Sequence, residues 1–320
     1  MNYIRKVKMG AQEVRSQYWI LGSSIGFAIT IPLIIYKIFK GICLRRSYNK
    51  LSGKVVVITG ASSGLGEALA HEFYKRGCQL VLCSRRRQEL DRVRTDLLKI
   101  YPTVPTHHPI IMPMDLSDIN SLSKVIDDIL ELTGRIDILV NNGGISHRGT
   151  VLETKPDVDI KIMLVNYFGA AALTKAVLRS MISQHSGHIV QVSSIQGLIG
   201  IPHRSAYAAS KHALQAFSDC LRAEVSEHNI DVTVVSPGYI KTRLSLNAVT
   251  ASGTAYGQMD KSTEQGQSPS EIAEEIVKAV VQKKKEAILA ELVPKMGVFL
   301  RKYLPDLYFY AMARRAKVAS

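Results

Sequence analysis

Cysteine is scarce in this chain: four residues in 320, Cys43, Cys78, Cys83 and Cys220. No two have metal-ligand spacing, and their scatter outlines no disulfide framework, so neither a zinc ribbon nor a cross-linked secreted module is specified. No Asn-x-Ser/Thr acceptor occurs, and both absences fit a reducing compartment. His107-His108 has no further ligand at useful spacing, which argues against a metal site. Internal repeats are absent, which excludes a repeat array.

Acids are outnumbered, 27 to 41 Lys+Arg, for a net charge of +14. The excess sits at the ends. Residues 1–50 hold nine bases and one acid, residues 283–320 hold nine and three, and residues 51–282 balance at 23 of each. A nucleic-acid binder carries its excess on the folded body, so no nucleic-acid partner is expected. Basic ends suit an anionic membrane surface. Solubilising termini are the plainer alternative.

Residues 16–36 contain no charged side chain. At helical rise they span the roughly 30 Å hydrocarbon layer. Trp19 and Tyr36 stand near the two ends, where amphipathic rings favour the interface. A cleaved signal peptide has a shorter apolar region and a small-residue cleavage site, and no Ala-x-Ala follows here. The reading is therefore a basic segment over 1–15, a transmembrane anchor over 16–36 and a basic linker over 37–50. Four bases before the anchor and five after it leave its orientation open. The expected location is the endoplasmic reticulum membrane, single-pass, with the peroxisomal membrane as the alternative.

From Leu51 short apolar runs alternate with amphipathic stretches. Val55–Ile58, Leu80–Cys83, Ile110–Met112, Ile136–Val140, His188–Val192, Val232–Val235 and Ala287–Ala290 read as buried strands. Segments such as Glu67–Arg76, Ser121–Leu132 and Ala208–Glu227 read as the helices between them. This alternation predicts one α/β domain over 51–290, a doubly wound Rossmann fold with a seven-stranded parallel sheet. Residues 238–270, rich in Gly, Ser and Thr, read as a lid or binding loop. Residues 291–320 form a basic, aromatic tail, read either as a membrane-interface or pocket-capping segment or as an ordinary packed helix.

Three constellations carry chemistry. Thr59-Gly60-Ala61-Ser62-Ser63-Gly64-Leu65-Gly66 joins the first strand to the first helix. Its glycines allow a tight turn and close approach of a pyrophosphate to the helix N-terminus. At the end of the second strand, an NAD enzyme places an acid to hold the ribose hydroxyls. Cys83-Ser84-Arg85-Arg86-Arg87 stands there instead. An acid would repel a 2′-phosphate and Arg85 can bind it, so the cofactor is read as NADP(H). The plainer alternative for Arg86 and Arg87 is to cap a solvated helix start, and at least one of them is expected to do so. Finally, Tyr207 and Lys211 share a helical face at i and i+4, and a nearby ammonium is expected to lower the phenol's pKa. Tyr207 then exchanges a proton with a carbonyl or alcohol oxygen, and Ser194 hydrogen-bonds that same substrate oxygen.

Taken together, Thr59-Gly60-x-x-x-Gly64-x-Gly66, Asn141-Asn142-Gly143-Gly144, Ser194, Tyr207-x-x-x-Lys211 and Pro237-Gly238 resemble the short-chain dehydrogenase/reductase family over residues 51–290. The resemblance implies a catalytic tetrad of Asn166, Ser194, Tyr207 and Lys211, with Asn166 holding a proton-relaying water. It implies cofactor contacts from the glycine-rich loop, Asp115 (adenine), Asn142, Pro237, Gly238 and Thr242, and a bracing role for Asn141. Gly143 departs from the family's usual Ala, with little functional effect expected. A lipophilic carbonyl or alcohol substrate is implied, such as a steroid, retinoid or glycerolipid precursor, and a homo-oligomer is left open. A membrane-bound, NADP(H)-sensing scaffold without catalysis is the competing function, though all four tetrad positions hold the expected residue types.

Overall fold

Val55–Thr59 (β1) is a run of β-branched residues, buried on both faces, as the middle strand of a covered parallel sheet must be. The structure is a computed structural model that describes residues 35–37 and 39–318. The uncharged run 16–36 therefore lies, all but its last two residues, outside the described residues.

Around β1 the sheet collects Gln79–Ser84 (β2), Ile110–Pro113 (β3), Ile138–Asn141 (β4), Gly187–Val192 (β6), Ile230–Pro237 (β7) and Glu286–Leu289 (β9). A two-residue parallel pair, His147–Arg148 (β5) with Val249–Thr250 (β8), lies apart from them. The seven-stranded order is β3-β2-β1-β4-β6-β7-β9, every pairing parallel. The doubly wound fold read from the strand–helix alternation is the observed one. Strand order reverses between β1 and β4, and the crevice at the carboxyl ends of those strands is where such sheets bind ligands.

Period-two alternation divides the core. Val56 and Ile58 point to one face, where they pack with Leu69, Phe73, Leu80, Leu82 and Ile276. Val55 and Val57 point to the other, with Leu122, Ile126, Ile129, Leu173 and Val177. Asp137 pins the amino ends of β1 and β4, opposite the crevice: it accepts from the Val55 amide and the Lys54 ammonium at 2.9 and 2.8 Å and also from Arg135. Those bonds explain why β4 begins at Ile138 and not at Ile136, where the apolar run begins.

Among the described residues one helical stretch, Pro156–Ser183, is long and apolar enough to cross a membrane by length and composition. It packs in the body of the fold, with Ile162, Leu173, Val177 and Met181 buried. Its apolarity is that of a core helix.

The C-terminal residues form two helices, Leu292–Tyr303 and Pro305–Val318. Val298, Leu300, Tyr308 and Met312 set them against Ile195, Ile199 and Ile201, the loop that follows β6. The Tyr308 hydroxyl donates to the Gly200 carbonyl at 2.5 Å.

Candidate active site

The glycine-rich loop is shaped by what cannot fit in it. Gly60 and Gly64 have φ of +66° and +59°, left-handed values that favour glycine. A Cβ at Gly66 would lie 2.2 Å from the Gly60 carbonyl oxygen. Thr59 ties the loop to the end of β4: its hydroxyl accepts from the Asn142 and Gly143 amides at 3.0 and 2.9 Å, and the Asn142 side chain donates to its carbonyl at 2.9 Å. Asn142 thus braces the crevice floor. Asn141 braces the neighbouring helix, donating to Thr174 at 2.9 Å. From the far side, the Thr242 methyl lies 3.1 Å from where a Gly64 Cβ would be, so Thr242 borders the loop. Pro237 ends β7, and Gly238 packs against Ala290. A backbone cradle with no room for side chains, opening onto the N-terminus of the Gly64–Tyr74 helix, fits a pyrophosphate.

At the end of β2 the structure singles out a neighbour of the expected arginine. Arg86 donates to the Ser62 and Ser63 hydroxyls at 3.0 and 3.3 Å, which brings its guanidinium over the glycine-rich loop. Arg86 also opens the Arg87–Ile100 helix, so its backbone caps while its side chain reaches back. Of the two arginines weighed as helix-start caps, Arg86 is thus the one beside the nucleotide cradle. Arg85 is exposed, and its charge acts on Asp115. Burial opposes ionisation of Asp115, but hydrogen bonds from the Ser117 amide and hydroxyl, with Arg85, more than offset it and hold the carboxyl below its ordinary pKa.

Ser194, Tyr207 and Lys211 come together between β6 and the Ser205–Glu224 helix. All three are buried. The Ser194 hydroxyl accepts from the Gln196 amide at 3.1 Å and lies near enough to the Tyr207 phenol to favour its ionised form. The Lys211 ammonium donates to the Val192 carbonyl at 2.9 Å and lies 5.8 Å from the Tyr207 ring centroid. Burial pushes the ammonium down to about 8. The phenol departs from expectation. Burial raises its pKa, and Ser194, Arg204 and Arg148 pull it back only in part, so the net shift is upward. Desolvation disfavours the charged form of either group, and here it outweighs the neighbouring cations.

Asn166 sits in a single π turn, Leu164–Phe168, inserted in the Pro156–Ser183 helical stretch. Its amide is committed to the chain just after β4: Oδ1 accepts from the Ile145 amide at 2.8 Å, and Nδ2 donates to the Ile145 carbonyl and the Ser210 hydroxyl at 2.9 and 3.0 Å. The point a Gly144 Cβ would occupy is 3.0 Å from Asn166 Oδ1 and 3.6 Å from Lys211 Nζ, so both residues border the same spot.

Around Arg204, three residues before Tyr207, opens a cleft of about 350 Å³ whose lining includes Arg148, His203, Tyr256, Asp260 and Arg315. Arg148 and Arg204 both donate to one oxygen of Asp260, Arg204 at 2.9 Å. Burial, then the like charge of Arg148, push the Arg204 guanidinium down. His203 adopts φ of +63°, uncommon for a non-glycine residue, directly before Arg204. Sequence reading missed this cluster, because separations of 112 and 56 residues carry no periodic signal.

The arrangement offers a nucleotide cradle, a buried hydroxyl pair and an adjoining cleft. Residues 54–252 match the family model for short chain dehydrogenase. The chain is 55% identical over 302 residues to "Dehydrogenase/reductase SDR family protein 7-like" of Anopheles gambiae, covering 94% of this chain and 95% of that one. It is 51% identical over 284 residues to "Dehydrogenase/reductase SDR family member 7B" of Xenopus tropicalis, covering 88% and 92%. A solved short-chain dehydrogenase/reductase from Burkholderia phymatum, in complex with NAD, has the same fold, with a TM-score of 0.70 at 23% identity over 80% of this chain and 95% of that one. The motif spacing, the parallel sheet and these relatives agree, and the chain belongs to the short-chain dehydrogenase family.

Proposed function

We propose that the chain is a membrane-anchored, NADP(H)-dependent oxidoreductase acting on a carbonyl or alcohol carbon of a lipophilic substrate, of the steroid, retinoid or glycerolipid-precursor class. The observation that carries the cofactor reading is Arg86 on Ser62 and Ser63, where an NAD enzyme would set an acid. Bound NADPH supplies the hydride. Tyr207 gives its phenolic proton to the carbonyl oxygen during reduction, or takes it back during oxidation. Ser194 holds that oxygen by a hydrogen bond. Lys211 restores the proton to Tyr207 from the side that Asn166 and Gly144 border. Its pKa, about 8, suits proton exchange near neutral pH. The uncharged run 16–36 and its basic flanks support a single-pass anchor, in the endoplasmic reticulum or peroxisomal membrane.

Calorimetry with NADPH and NADH tests the cofactor reading. NADPH binds at least about tenfold tighter, a gap of roughly 1.4 kcal/mol, because a charge-assisted phosphate contact is missing with NADH. Arg86→Gln removes most of that gap. Equal affinities in the unaltered chain overturn the reading.

A further inference from the structure

The two C-terminal helices are amphipathic with the wrong face outward. Val298, Leu300, Tyr308 and Met312 pack inward, yet Leu292, Met296, Phe299 and Tyr303, spaced at helical intervals of four, three and four, are 71, 51, 56 and 58% exposed. Val293, Leu304, Leu307, Phe309 and Tyr310 are exposed as well. Of the 22 exposed large apolar residues among the described ones, nine fall between 292 and 310. Scattered apolar residues need no explanation, but such a concentration marks an interaction surface.

Charge decides the occupant. Lys295, Arg301, Lys302, Arg314 and Arg315 are exposed on the same two helices, and Asp306 is the only acid within them. Arg301 lies over the Phe309 ring and Arg314 over the Tyr310 ring, so bases and aromatics are interleaved. A second copy docking on this face would set bases against bases, which opposes association. An anionic bilayer complements the bases and buries the rings at its interface.

We propose that the Leu292–Val318 hairpin lies on an anionic lipid surface as a second membrane contact, separate from the N-terminal segment. The inference rests on the membrane location proposed above. Its inner face touches the Ile195–Ile201 loop, and Arg315 lines the cleft that also holds Arg148, Arg204 and Asp260. The bilayer thus meets the chain at the roof of its substrate side, where a lipid-dissolved substrate arrives.

The test uses the full chain with Trp19→Phe, which removes its single tryptophan, and Phe299→Trp as the reporter. The protein is mixed with phosphatidylcholine vesicles, with or without phosphatidylserine, whose acyl chains carry bromine. With the anionic lipid, the F299W indole shifts to the blue and is quenched about twofold or more, since an interfacial helix buries its apolar face roughly 5–10 Å deep. Without it, quenching drops severalfold. Flotation of the same samples separates the two ideas. Protein that fails to float overturns the membrane location. Protein that floats with an unquenched, water-exposed indole overturns only the hairpin contact. A lipid-independent blue shift that grows with protein concentration assigns the face to a second copy and overturns it too.

Discussion

The Lys211 ammonium is held by the Val192 carbonyl at 2.9 Å, one turn of helix beyond Tyr207 and 5.8 Å from its ring centroid. Both groups are buried, and burial drives their pKa values apart: lysine down to about 8, phenol upward. In that state the proton sits on the tyrosine, the form a reductase needs at the start of turnover.

Tyr207→Phe removes one oxygen and leaves the ring to pack. Fold and cofactor binding persist, and kcat falls by roughly 10² to 10⁴, the usual worth of general acid catalysis. Lys211→Met acts in the same direction. The double variant is little worse than the poorer single one, because both changes interrupt one proton transfer. Single-turnover NADPH oxidation with an accepted ketone is the measurement. Near-normal turnover in Tyr207→Phe would show that another group donates the proton.

Two glycines at the crevice differ in what surrounds them. A Cβ at Gly66 meets backbone, the Gly60 carbonyl oxygen at 2.2 Å, whereas one at Gly143 meets the end of the Leu116 side chain at 2.6 Å. Gly66→Ala costs about 1–3 kcal/mol and impairs NADPH binding. Gly143→Ala needs only a Leu116 rotamer change and stays within about 1 kcal/mol of the natural chain. Thermal melts with and without NADPH distinguish them, and equal losses for both would contradict the packing argument.

Asp260 neutralises two largely buried guanidiniums. Asp260→Asn leaves Arg148 and Arg204 facing each other without a counter-charge, a loss of about 3–5 kcal/mol if both stay buried. Urea titration reads the loss, and limited proteolysis reads the loosening of the 238–270 segment. The unpaired guanidiniums also bring a sharper signature, a stability that recovers as salt is added. A variant as stable as the natural chain at low salt would remove the cluster from the structural account.

His188 links stability to acid. Burial pushes its imidazole from 6.5 down to about 4, and its Nε2 lies 2.8 Å from the Thr233 hydroxyl. The unfolded chain takes up this proton near pH 6.5 and the folded chain near 4. Between those values the unfolded state binds more protons, so stability rises with pH. The His188 contribution is complete above about pH 6.5 and is lost as pH falls through about 4, on the order of 3 kcal/mol in all. His188→Gln flattens this limb in denaturant titrations from pH 7 to 4. Parallel slopes for both chains would assign the acid sensitivity elsewhere.

Most of the frame was legible because buried parallel strands are written as unbroken apolar runs. Each of the seven predicted strands is present, with ends displaced by a residue or two. The displacements have local causes, such as Asp137 drawing the chain before β4 into hydrogen bonds. Spacing placed Ser194, Tyr207 and Lys211 on neighbouring elements. Direction was harder to read. Which of Arg85 and Arg86 turns back to the glycine-rich loop depends on how the chain enters the Arg87–Ile100 helix. The sign of the Tyr207 shift depends on burial, which a four-residue spacing does not report. The Arg148–Asp260–Arg204 cluster is purely tertiary.

The π turn at Leu164–Phe168 carries one residue more than an α-helical turn would hold. Deleting any one residue between Pro156 and Met163 would therefore not break the helix. It would let the surplus drain away and restore a regular spiral. Downstream packing of Leu173 and Val177 would keep its register, while the residues near Asn166 would rotate by up to about 100°, the turn per residue of an α-helix. The Ile145 amide and carbonyl would lose their shared partner. This helix is thus a place where a frame-preserving deletion could yield a folded chain with a mis-set Asn166, a lesion that a melting curve alone would overlook.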